Sequence, residues 1–143
     1  MLLDTKPTIK PAYKTYKQLR IRKRIYMGLM WVRNALLSGE IKAKEFDMSE
    51  WWMDFDCKTP SCIGGWTEFH VNQAVDGESG CGSVDQIDPE HTTRALDLLF
   101  FPDSDAPIYD GKNPYSANRK QAAMAIDNYL NGSKNPWEGV MGA

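Results

Sequence analysis

A mainly α fold follows from three features of this 143-residue sequence: four helices in one domain, with room for a short β-hairpin. Apolar residues recur at spacings of three and four from Ile21 through Ile25, Leu29 and Val32 to Leu36. Proline twice follows a capping residue, in Thr59-Pro60 and Asp88-Pro89, the arrangement of a helix start. Gly39, Gly77 and Gly132 stand where periodic stretches end, as residues just past a helix C-terminus do. Composition agrees: 42% apolar and 25% charged residues are close to globular averages, so a packed core is expected without disulfides or metal.

Residues 1–12 carry two prolines and no helical period, which predicts a flexible N-terminal arm. The helical domain is expected over residues 13–131. Its first helix should run unbroken from Tyr13 to Gly39, interrupted only by the weak helix former Gly28. A second apolar set on it, Tyr16, Leu19, Tyr26, Met27, Met30, Trp31 and Leu37, lies largely off the first stripe. The helix's second half is therefore apolar nearly all round and calls for cover on several sides. Residues 45–56, rich in aromatics and acids, fit either a short strand or an irregular segment laid over the helices.

Pro60 is expected to open a helix ending near Val75, with Cys62 in its first turn. Its adjacent glycines, Gly64 and Gly65, would let a large ring press on the backbone, and Ile63, Trp66, His70 and Ala74 would form the packed face. Asp88-Pro89 should open a third helix, stopped by Pro102. A fourth is expected from a Ser116 cap to Leu130, burying Ala122, Ala123, Ile126, Tyr129 and Leu130. Residues 132–143 read as a C-terminal tail, loosely attached except at Trp137.

Charge is uneven. Residues 1–24 hold eight Lys/Arg and one Asp, and the rest holds nine bases and eighteen acids. Arg20, Arg22, Lys23 and Arg24, with Tyr13, Tyr16 and Tyr26 interleaved, form the best candidate anion-binding group. The acidic remainder disfavours a long polyanion, so nucleic acid ranks below a small nucleotide-like anion.

Cys57, Cys62, Cys81 and His70 are the ligand types a zinc site uses. Yet His70 would stand about 12 Å along the helix axis from Cys62, too far for one ion. No metal ligands and no cofactor are therefore expected. The odd cysteine count and the lack of a secretory signal or membrane span point to a cytoplasmic protein with reduced thiols.

The stretches FDMSEWW, CKTPSCIGGW and ALDLLFFP resemble a pattern found in short uncharacterised proteins of bacteria and their phages. The resemblance spans about residues 29–130 and implies no reaction, only the setting of a small accessory protein of a phage or mobile element. The leading expectation is a non-enzymatic, homo-oligomeric binding protein that modulates host defence by occupying a partner protein. Tyr16, Tyr26, Trp31, Trp51 and Trp52 are its expected contact residues, because large rings gain most from desolvation at an interface. A sequestering binder of a small nucleotide-like anion is the alternative, and a thiol- or zinc-dependent enzyme the third.

Overall fold

The computed structural model describes residues 13–48, 62–76, 94–102 and 113–141, with side chains to residue 71 in the second stretch. Within these lie α1 (Tyr16–Leu19), α2 (Lys23–Ser38), α3 (Ile63–Asp76), α4 (Arg94–Phe100) and α5 (Arg119–Leu130), with 3-10 turns at Ala43–Glu45 and Pro114–Ser116. The fold is mainly α, as the periodicity predicts, and no strand occurs among the described residues. The N-terminal arm, the Thr59-Pro60 and Asp88-Pro89 starts and most of the 45–56 segment lie outside them.

The expected single first helix is two. α1 closes on Arg20, whose φ of 62° is left-handed. Its amide bonds the Lys17 carbonyl at 3.1 Å and the Ile21 amide bonds that of Tyr16 at 3.1 Å, the paired pattern of a Schellman ending. A non-glycine residue in this conformation costs about 1–2 kcal/mol, and contacts made by the preceding residues offset it. The Lys14 amide donates to the Leu130 carbonyl at 2.6 Å, and the Tyr26 hydroxyl donates to the Lys14 carbonyl at 2.9 Å. The Tyr16 and Tyr26 rings come within 6.1 Å of each other. On a straight helix those residues would stand about 15 Å apart along the axis, so the break is what lets them meet.

Beyond the break, α2 buries Ile25, Gly28, Leu29, Val32, Ala35 and Leu36 and ends at Gly39, left-handed at φ 91°. It lies against both α3 and α5. α2 and α3 come close at Gly28, where a Cβ would meet the Thr67 methyl at 3.1 Å, the Thr67 carbonyl oxygen at 3.3 Å and a Val71 methyl at 3.5 Å. Thr67 is fully buried, and its hydroxyl donates to the Ile63 carbonyl at 2.8 Å, which fixes the rotamer that presents this methyl.

α3 starts at Ile63, so Cys62 is its capping residue and does not sit in the first turn. The Cys62 Sγ accepts from the Gly65 amide at 3.5 Å. Gly64 and Gly65 are buried, and the Trp66 indole N–H donates to the Glu45 carbonyl at 2.9 Å.

Asn118, not Ser116, caps α5. Its side chain accepts from the Gln121 amide at 2.8 Å while the Gln121 side chain accepts from the Asn118 amide at 2.9 Å. This reciprocal box outcompetes a serine that is itself inside the preceding 3-10 turn. The expected apolar face, Ala122, Ala123, Ile126, Tyr129 and Leu130, is buried.

The C-terminal segment is not loose. Trp137 and Val140 are fully buried and Met141 nearly so. The Trp137 indole N–H donates to the Leu99 carbonyl at 3.2 Å, and the Asn128 amide side chain donates to the Pro136 carbonyl at 2.9 Å. A ring that can bury its body and still satisfy its N–H anchors a segment whose other residues look polar.

A polar clasp joins the N-terminal stretch, α2 and α5. The Tyr13 hydroxyl donates to Asp127 Oδ1, which also accepts from Arg33 Nε at 2.9 Å. Burial, and then the bond to Asp127, raises the Tyr13 pKa well above the ordinary tyrosine value. Because the folded value is the higher one, the clasp contributes fully below pH 10 and weakens as pH rises further.

Two outcomes follow. Gly28→Ala gains about 1 kcal/mol of helix propensity but meets an anchored methyl and a backbone oxygen, and overpacking of this kind costs about 1–3 kcal/mol. Its melting temperature should fall by about 3 °C and that of Gly28→Leu further; an alanine variant more stable than the parent would show that the contact yields. Tyr13→Phe should lose about 1 kcal/mol at pH 7, and denaturant titrations should show the gap to the parent narrowing above pH 10.

Candidate functional site

The break at Arg20 changes what the basic run is. In a continuous helix the amides of Lys23, Arg24 and Ile25 would bond carbonyls four residues earlier. Here they form the opening turn of α2, where no such carbonyl is available. The capping residue is Arg22, with no side-chain bond to the turn, and no acid occupies it. Helix starts favour anions, and each cation there costs about 0.3–1 kcal/mol before screening. Three consecutive bases at this place add their own fields to that of the helix, an arrangement unfavourable for folding and favourable for holding an anion.

These residues line a depression. Arg22 at the cap of α2, Lys23, Arg24 and Met27 from α2 and His70 from α3 line about 460 Å³, within the range of small-molecule sites. Arg24 and His70 are half-buried and Lys23 is open to solvent. The Arg24 Nε and His70 Nδ1 atoms are buried without a hydrogen-bond partner. The His70 ring stacks on Trp31, centroids 5.3 Å apart and planes 27° from parallel. Burial pushes the His70 pKa below the ordinary histidine value, so the imidazole is neutral near pH 7.

A larger depression of about 660 Å³ lies at the far end of α2, lined by Leu36, Leu37, Ser38, Gly39, Ala43, Phe46, Ala117, Asn118, Arg119 and Lys120. It too adjoins a helix start with two bases. Here Asn118 fills the cap, and Arg119 Nη1 is bonded to the Ile41 carbonyl at 3.2 Å. At the smaller depression no side chain caps the helix start.

Of the four expected anion-binding residues, Arg22, Lys23 and Arg24 converge on the depression. Arg20 does not line it and serves as the left-handed joint. Of the aromatic residues, Tyr16 and Tyr26 pair with one another, and Trp31 packs against Trp66 at 6.3 Å, Phe69 at 6.2 Å and His70. Trp51 and Trp52 lie outside the described residues. The lining residues that sequence reasoning missed are His70, weighed as a zinc ligand and read as part of a packed face, and Met27, 49% exposed. No local signal ties His70 to the basic run, because only the α2–α3 packing brings them together. Glu68, a fully buried carboxylate on α3, was likewise not singled out.

Cys62 is buried at its cap. Among the described residues no three His, Cys, Asp or Glu side chains gather where a metal could be held. No described helix is long and apolar enough to cross a membrane. No protein-family model, curated protein or solved structure matches the chain. The motif resemblance therefore remains one of sequence pattern alone.

Proposed function

We propose that this chain is a non-enzymatic binding protein whose basic depression at the start of α2 holds a phosphate-bearing anion of about mononucleotide size. One observation carries the reading: three bases stand together at the helix end where bases are least favourable for stability, and they face a depression of about 460 Å³. Charge placed against stability, with space in front of it, is what a ligand site requires. Met27 and the half-buried Trp31–His70 stack supply an apolar side beside the cations, which suits a ligand joining a flat ring to a phosphate. An accessory role in a phage or mobile element, acting on host defence by sequestering such a ligand, has the motif resemblance as its support.

Lys23→Glu separates ligand binding from folding. It places an acid at the helix start and should raise stability by about 0.5 kcal/mol. The same change should abolish the thermal shift given by a panel of nucleotides at low salt, a shift that in the parent fades as salt rises. A parent protein unmoved by every nucleotide, or a glutamate variant that binds as well as the parent, would dismiss the reading.

A second reading, binding to a partner protein or to another copy, is favoured by the Tyr16, Tyr26 and Trp31 rings, none fully buried, beside the exposed Met27. Trp31 is committed to its stack, so Met27→Glu is the cleaner probe. It should weaken association about tenfold or more without altering the fold. Unchanged oligomer masses in native mass spectrometry and unchanged partner capture would remove this reading.

A further inference from the structure

The position of His70 in this depression has a consequence for how an anion is held, one that rests on the anion-binding reading above. The imidazole lines the depression together with Arg22, Lys23 and Arg24, the only other ionisable groups to do so among the described residues. Its Nδ1 is buried with no partner, and one ring face is covered by Trp31. A proton added to this ring in the empty site would place a further positive charge among the cations that line the depression. An anion in the depression offsets the field of those cations and so favours the imidazolium.

We propose that His70 takes up a proton when an oxyanion of the phosphate or sulfate type occupies the depression, so that the site's fourth cation is supplied only with the ligand present. Burial already holds the empty-state imidazole neutral. The sign follows from linkage. Occupancy raises the proton affinity of His70, so lowering the pH through the occupied-state pKa must tighten the anion, and the gain levels off below the empty-state pKa. Each unit between those two values gives about a tenfold change in affinity. The neighbouring Trp31 tolerates the change, because an indole face attracts a cation as well as stacking on a neutral ring.

Inorganic sulfate is the probe, since its charge is constant over the pH range in which histidine titrates. The chain has only two histidines, so the two imidazole resonances can be followed in the intact protein by NMR across pH 5–8, with and without sulfate. His70→Asn identifies the signal that disappears, and His91→Asn gives the same assignment by elimination if the first variant does not fold. The expected result is a His70 pKa that rises on adding sulfate while that of His91 stays put, together with sulfate affinity that increases as pH falls in the parent and is flat in His70→Asn. Sulfate that binds with the same affinity at pH 5.5 and 8, or leaves the His70 titration where it was, overturns the proton linkage and leaves the anion site standing. Sulfate that perturbs neither Arg24 nor Lys23 resonances at any pH overturns both.

Discussion

α2 and α3 can approach as closely as they do because position 28 has no side chain. Thr67 places a methyl and a carbonyl oxygen within 3.3 Å of where a Cβ would stand, and its hydroxyl is engaged elsewhere. The contact also sets the register between the two helices. One turn before Gly28 lies Arg24, which shares the depression with His70, and three residues after it lies Trp31, which stacks on the same imidazole. A different separation or register would leave a basic helix end and an unrelated histidine. The candidate site is thus a by-product of one tight crossing, and its geometry is as well defined as the buried core that enforces that crossing.

The unfavourable charge at the start of α2 is tolerated because that helix is held by its flanks. It is packed by α3 on one side and α5 on another, and the Arg33–Asp127–Tyr13 clasp adds a polar tie across the second junction. Burial of Ile25, Leu29, Val32 and Leu36 at about 1.5–3 kcal/mol each exceeds the fraction of a kilocalorie that each misplaced cation removes. Helices stabilised by tertiary contact can carry electrostatic conflict at their ends, and isolated ones cannot.

How much of this could be read beforehand divides along a physical line. Ile21 through Leu36, the Gly39 stop and the buried face of α5 obey local periodicity and local turn chemistry, and all were legible. The break at Arg20 was not: no glycine or proline marks it, and of the bonds that compensate for it one comes from Leu130, distant in sequence, and the other from Tyr26, which can reach Lys14 only once the chain has turned. Ser116 was read as the cap of the last helix, whereas Asn118 takes that place because Gln121, three residues on, reciprocates its bond. Trp137 stood out as an attachment point of the C-terminal segment, but the burial of Val140 and Met141 did not, because their glycine and polar neighbours give no local period. In the candidate site the arginines and the lysine were visible as a run of like charge. The histidine that lines the depression with them, by contrast, depends on a long-range contact that no local pattern encodes.

The positions of α2 left outside its packing form a narrow strip. Lys23, Met27, Asn34, Leu37 and Ser38 are its exposed residues, and at 100° per residue they fall within one edge about 100° wide. Lys23 and Met27 border one depression, Leu37 and Ser38 the other. Variation that spares the interior is thereby channelled onto a single track linking the two concavities, so neutral drift along this helix would reshape their rims before it disturbed architecture.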